Sequence, residues 1–332
     1  MEDAPRQRRW TRELRYHAMG IVATVVIFEL VLHLFDIPYL RADDWGSMQY
    51  RYDAEIGWTP APKSQSKSAM PREITVSHNS LGTRDAEFER NGKPTILFMG
   101  DSLTWGYNVE ARERFSDLIR EMAPTHNVLN AGVSGFGTDQ AYLFLKRLWP
   151  AVEPSVVVLM FCVENDHTDN SRNLRYFNYK PYLATAANGA RQFRGQPVPP
   201  PRKSYFQKNW FTQNLVLVRL AISGYVELAY PRVTVPDATE PLIAMMRDEV
   251  QRNGAKFLVG LERQDPQLES FLKQQGIPYV LLDGAEFYDS SHHWSTEGHK
   301  LVAARLASLL SADGIVVSRR SDDPRGVGAA KP

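Results

Sequence analysis

Five short apolar runs, each leading toward a stretch of helical pattern, constrain this chain more than any other feature of its sequence. The runs are Thr95–Met99, Asn127–Asn130, Ser155–Phe161, Lys256–Gly260 and Tyr279–Leu282. Helices are expected over Ala111–Met122, Asp139–Leu148, Pro241–Asn253, Gln267–Gln275 and Glu297–Leu310. Short β-branched runs alternating with helices point to a parallel sheet covered on both faces. The expected fold class is therefore α/β: a three-layer α/β/α sandwich around a central, mostly parallel five-stranded sheet, over residues 94–312. Hydrophobic residues at 43% and aromatics at 11% can fill such a core and exclude wholesale disorder.

Charge and cysteine count narrow the classes further. Lys+Arg 39 against Asp+Glu 38 leaves a formal charge of +1, without the basic excess of a nucleic-acid binder, so no nucleic-acid partner is expected. The single cysteine, Cys162, excludes an intrachain disulfide framework and a CxxC zinc site. It lies in the apolar run from Val156 to Val163 and reads as a small buried hydrophobe.

The N-terminus has a different character. Residues 1–16 form a basic tail carrying Arg6, Arg8, Arg9, Arg12 and Arg15, and within the expected anchor, residues 17–37, the chain from Ala18 to Ile37 is apolar apart from Glu29, His33 and Asp36. That length fits one membrane-crossing helix, for which about 20 apolar residues are needed. Glu29 opposes insertion by roughly 2.5–3.5 kcal/mol at a central position, softened by protonation and by His33 one turn further on. The arginine cluster predicts a cytoplasmic N-terminus and a body on the periplasmic or extracytoplasmic side. No convincing small-x-small site marks a cleaved signal peptide, and the competing reading is an amphipathic helix packed on the globular domain. Residues 38–93 read as a stalk or peripheral lead-in, and residues 313–332 as a flexible tail. Residues 167–214 interrupt the strand–helix alternation with aromatics that include Tyr176, Phe177, Trp210 and Phe211. An insertion of this length is an ordered lid or substrate wall, or else packs on the sheet edge.

Ligands of open parallel sheets bind at the carboxyl ends of strands, and four blocks stand there. Gly100-Asp101-Ser102 follows the first run, offering a sharp turn and a serine that could be a nucleophile or a helix cap. Asn130-Ala131-Gly132-Val133-Ser134-Gly135 follows the second, and its glycines permit close backbone approach. Val163-Glu164-Asn165-Asp166 follows the third, where an asparagine amide could donate to an oxyanion. Tyr288-Asp289-Ser290-Ser291-His292-His293-Trp294-Ser295 follows the fifth, placing an aspartate and two histidines on one loop before the last helix. Each block has a structural explanation by itself; in order, together, they supply the parts of an acyl-transfer site.

In that combination the sequence resembles the SGNH (GDSL) hydrolase superfamily, whose blocks are a GDS serine, a glycine, a GxND asparagine and a DxxH pair. The likeness spans roughly residues 93–312, and Asn79-Ser80-Leu81-Gly82-Thr83-Arg84-Asp85 is similar to a lead-in of membrane-anchored bacterial members. No G-x-S-x-G elbow is present, which sets the ordinary α/β-hydrolases aside. The resemblance implies Ser102 as nucleophile, with an oxyanion hole from the Ser102 and Gly135 backbone N–H groups and the Asn165 side chain. Val163 stands where the family has glycine. His293 is expected as the base, just before a helix cap at Ser295 or Thr296, with Asp289 orienting it; His292, which satisfies D-x-x-H with Asp289, is the alternative base. The resemblance implies no metal and no cofactor.

The expected function is that of a membrane-tethered serine esterase acting on a small-molecule, glycan or lipid ester. The alternatives are an O-acyltransferase acting on cell-envelope polysaccharide with the same site, and a non-catalytic envelope scaffold.

Overall fold

The computed structural model describes residues 3–35, 37–41, 49–68, 72–186, 188–288 and 292–315. Five strands, β1 (Thr95–Gly100), β2 (Asn127–Asn130), β3 (Val156–Phe161), β4 (Lys256–Leu261) and β5 (Tyr279–Leu281), form one sheet in the order β5-β4-β3-β1-β2. Every pairing in it is parallel. The helices are α1 (Asp3–Leu34), α2 (Ser102–Trp105), α3 (Phe115–Met122), α4 (Thr138–Val152), α5 (Asp166–Asn170), α6 (Arg202–Phe206), α7 (Trp210–Asn214), α8 (Val216–Ala229), α9 (Thr239–Arg252), α10 (Pro266–Gln274) and α11 (Thr296–Ala312).

Strands β1 and β3 are buried along their whole length, which is why their sequences are continuously apolar rather than alternating. Their two faces still follow the period of two. Leu97, Met99, Val157, Leu159 and Phe161 pack with α4, α9 and α10 through Leu145, Met246 and Leu272. Ile96, Phe98, Val156, Val158 and Met160 pack with α3 and α11 through Ile119, Leu306 and Leu310. The result is the expected three-layer sandwich. The strand order reverses between β1 and β3, and the crevice at that switch point is where such sheets bind ligands.

Two helices differ from expectation. Ala111–Met122 is a 3-10 turn over Ala111–Glu113 followed by α3, because Arg114 between them is extended and buried, with its guanidinium on the Arg84 carbonyl and Asp117. Helix α4 continues past Leu148 with Pro150 inside its last turn.

The described residues within 49–200 and 233–315 make one compact unit, and those within 3–41 and 201–232 a second. In the first, residues 49–93 supply two hairpins, Tyr50–Asp53 with Gly57–Pro60 and Gln65–Ser68 with Ile74–Ser77. Tyr50, Ile56 and Trp58 from this lead-in join the same apolar cluster as β1 and β3. The second unit packs α8 on α1 around Leu32, Leu40, Phe206 and Val216. The aromatic insertion at 167–214 is therefore shared out: its part up to residue 200 belongs to the sheet unit, and the remainder begins a helical excursion, α6–α8, that the sequence did not announce. Within α1, Trp10–Leu34 is long and apolar enough to cross a membrane.

Candidate active site

The chain leaves β1 through Gly100, at φ 154°. A Cβ there would lie 2.7 Å from the Met160 carbonyl oxygen and against the Thr104 hydroxyl, so the turn admits only glycine. Asp101 then caps α2, its Oδ1 accepting from the Leu103 N–H at 2.9 Å. This separates the two roles open to the GDS block. The aspartate is the cap, which leaves the Ser102 hydroxyl free of capping and pointed across the crevice, where the His293 Nε2 lies 2.8 Å from Ser102 Oγ.

His293 is held by a short antiparallel hairpin in which Phe287 pairs with Trp294 and Tyr288 with His293. Trp294 is buried against Phe115 and His299, and Ser295 caps α11 by accepting from the Gly298 N–H at 3.1 Å. The Tyr107 ring packs on the imidazole of His293, with centroids 4.5 Å apart. His292 is exposed with φ 52°, and among the described residues it makes no hydrogen bond to Ser102. Asp289 lies outside the described residues.

The second block divides its glycines between packing and approach. A Cβ on Gly132 would stand 2.5 Å from the Trp105 nitrogen and 2.6 Å from Thr104 Cβ, so this glycine lets the loop lie on α2. Gly135, at φ 82°, is covered by the Tyr176 ring, whose Cε2 would be 2.9 Å from a Cβ. Asn165, after β3, donates from Nδ2 to Asp169 Oδ2 at 2.9 Å. Asp169 also pairs with Arg175 at 2.9 Å; Arg175 lies over the Tyr176 ring at 4.4 Å and donates to the Tyr176 hydroxyl at 3.1 Å. A continuous series of contacts, Asn165–Asp169–Arg175–Tyr176–Gly135, thus joins the third block to the second through the insertion. Tyr176 was visible in the sequence only as one aromatic among many, and Arg175 and Asp169 not at all.

The lead-in motif is a brace beneath the turn that carries Ser102. Asn79 closes its own loop by accepting from the Leu81 and Thr83 N–H groups, both at 3.0 Å. Arg84 is buried and donates to the carbonyls of Trp105 (3.1 Å), Gly106 (2.5 Å), Thr75 (3.1 Å) and Val109 (2.8 Å), stacked at 4.3 Å over the Trp105 ring. Three of these carbonyls belong to the end of α2 and the loop after it, the groups a short helix leaves unpaired. Asp85 accepts from Arg120 and from the Asn130 N–H at 2.8 Å, while the Asn130 amide donates to the Thr104 carbonyl at 2.6 Å. The motif was recognisable in the sequence, but its contacts are long-range and were not.

Burial sets the electrostatics. It raises the Asp101 carboxyl above its ordinary value, with the charge of Asp169 adding to the effect. Burial likewise raises Asp166, Asp169 and the Cys162 thiol. Tyr107 is raised by burial and by the neighbouring Tyr176. His299, wholly buried with its Nδ1 accepting from the Phe115 N–H at 3.3 Å, is pushed down to about 3 by desolvation and by Arg114 and Arg84. Among the described residues no group of three or more His, Cys, Asp or Glu side chains is placed to hold a metal ion.

No family model matches the chain, and no curated protein does. Among solved structures it is similar to a GDSL-like lipase from Bacteroides thetaiotaomicron, at 12% identity and a TM-score of 0.37, covering 68% of this chain and 91% of that one. It is also similar to a member of the lipolytic protein G-D-S-L family from Veillonella parvula, at 15% identity and a TM-score of 0.34, covering 65% of this chain and 98% of that one. An acetyl xylan esterase is similar at 13% identity and a TM-score of 0.38, over 64% of this chain and 98% of that one.

Proposed function

We propose that the chain is a membrane-tethered serine esterase of the SGNH kind that hydrolyses an ester-linked acyl group. The observation that carries this reading is the 2.8 Å contact between His293 Nε2 and Ser102 Oγ at the switch point of the sheet. In this mechanism His293 takes the hydroxyl proton as Ser102 Oγ attacks the ester carbonyl carbon. The carbonyl oxygen gains negative charge and is met by the N–H groups of Ser102 and Gly135 and by the Asn165 amide. Collapse breaks the ester C–O bond, and the imidazolium returns its proton to the departing alcohol. Water, deprotonated by the same imidazole, then attacks the acyl-serine, releasing the acid and restoring Ser102. Asp289 is assigned to orient His293 and favour the imidazolium. Tyr107, packed on His293, and the exposed Tyr176, over Gly135, flank the serine and suit an apolar acyl chain or a sugar face.

Helix α1 is read as a single span, with the arginine-bearing end cytoplasmic and the hydrolase unit on the periplasmic side. The test is incubation of the full-length protein with p-nitrophenyl acetate, with and without a sugar acceptor. Hydrolysis predicts nitrophenol and free acetate in equal amounts in both cases. Acetylated sugar in place of acetate would make the chain a transferase, and no nitrophenol at all would favour a non-catalytic scaffold.

A further inference from the structure

Helix α8 buries one side and bares the other. Val216, Arg219, Ser223 and Val226 face inward, and Val216 joins Leu32 of α1 in the core of the helical unit. On the opposite side Ala221, Tyr225 and Leu228 are exposed at helical spacing, Leu228 to 87%. Trp210 and Phe211, on the preceding α7, are 63% and 61% exposed. Soluble surfaces rarely carry so much clustered apolar area without a partner. The bare side has no charge at residues 221, 224, 225 or 228. Nearby charges are turned elsewhere: Arg219 donates to the Gln213 carbonyl at 2.5 Å, and Glu227 pairs with Arg202 and Arg232.

A second, independent observation fixes where this surface lies along α1. The carboxylate of Glu29, the acidic residue in the middle of the apolar stretch, accepts from the N–H groups of Val216 at 2.7 Å and Leu217 at 2.8 Å, with His33 Nε2 at 3.0 Å. Glu29 thus caps the start of α8, which accounts for a charge that otherwise opposes insertion. It stands five residues before Leu34, about 7.5 Å along the axis from the end of α1. Interfacial helices lie about 5–10 Å deep at the boundary of headgroups and acyl chains, where Trp and Tyr concentrate.

We infer that the α7–α8 surface is a membrane-docking face, seated in the outer headgroup–acyl boundary of the same bilayer that α1 crosses. Helix α8 packs on α1, which itself exposes Ile21, Val22, Phe28 and Leu34 to the same apolar medium. The occupant is lipid, and the inference rests on the reading of α1 as a span.

The test places an environment-sensitive fluorophore on Leu228→Cys, and separately on Val22→Cys, in the full-length protein; the native Cys162 is buried. Each is reconstituted into phosphatidylethanolamine–phosphatidylglycerol vesicles with and without lipids bearing a nitroxide high on the acyl chain, after circular dichroism has shown a native spectrum. Docking predicts a blue-shifted emission at 228 that loses at least half its intensity to the nitroxide lipid, and a blue-shifted emission at 22. A water-like, unquenched signal at 228 beside a lipid-like signal at 22 overturns docking and leaves the span intact. A blue-shifted but unquenched signal at 228 means a protein surface covers it, a second copy included, and also overturns docking. Water-like signals at both positions remove the span and docking together.

Discussion

The carboxyl end of the sheet and the α1–α8 unit solve opposite problems. At the sheet end, charged groups are taken inside: Arg84, Arg114, Asp101 and Asp169 are all buried, and their hydrogen bonds hold the turns that carry Ser102 and Asn165. In the helical unit, apolar groups are turned out, and the acidic side chain in the middle of the apolar stretch, Glu29, caps a helix end. The lesson is that each region is consistent only with its own solvent. A buried guanidinium is tolerable when carbonyls or a carboxylate take most of its N–H groups, as around Arg84 and Arg114, and an exposed row of Leu, Tyr and Trp is tolerable when the neighbour is lipid.

The comparison breaks most readily at the nucleophile. Ser102→Ala is expected to lower turnover about 10⁴- to 10⁶-fold with little change in melting temperature, measured on p-nitrophenyl acetate. On the proposal that its amide serves the developing oxyanion, Asn165→Ala should lower kcat by about 10²–10³; an unchanged kcat would leave it merely a partner of Asp169. Arg84→Met tests whether burying charge under the turn is structural: four carbonyls lose a charged donor, and urea unfolding should show a loss of about 3 kcal/mol or more.

Smaller effects sharpen the contrast. His299 is held at about 3, below the ordinary histidine value, so between about pH 6.5 and 3 the unfolded chain binds a proton that the folded chain refuses. Stability contributed by this group therefore falls as pH falls, with a slope of up to about 1.4 kcal/mol per pH unit. His299→Leu should flatten the pH dependence by that amount in the same window, whereas the raised carboxyls of Asp101 and Asp169 act with the opposite sign and remain in both proteins. In the helical unit, Glu29→Ala should cost about 1 kcal/mol locally by uncapping α8, seen as faster hydrogen exchange at Val216 and Leu217.

How much was legible in the sequence follows the range of the interactions. The five strands emerged from continuous apolar runs, and their observed bounds differ from the expected ones by no more than a residue or so, as in Val156–Phe161 for Ser155–Phe161. The covering of both faces by helices was legible in the alternation of strand and helix, whereas the strand order was not, because no local pattern carries it. The blocks carrying Ser102, Gly135, Asn165 and His293 were readable because each sits at a strand end, where the sheet gathers distant chain segments. What stayed hidden depends on contacts across long separations. Glu29 looked like an obstacle until its partners, the amides of Val216 and Leu217, stood beside it. The placing of Tyr176 over Gly135, and of Arg84 under α2, likewise leaves no local pattern. Helices α6–α8 were hidden because residues 167–214 read as one aromatic-rich insertion with turn formers and residues 215–232 were assigned no element; the packing of α8 on α1 gives this segment its place.

The account turns on Ser102 being activated by the imidazole beside it. Labelling the folded protein with a fluorophosphonate and locating the adduct by peptide mass spectrometry measures this directly, in the native chain and in His292→Ala and His293→Ala. The prediction is a single adduct on Ser102, formed at the native rate in His292→Ala and at least a hundredfold more slowly in His293→Ala, on the scale of about 10²–10⁴ for a general base. An adduct on another residue, or a Ser102 adduct lost in His292→Ala and retained in His293→Ala, would contradict it.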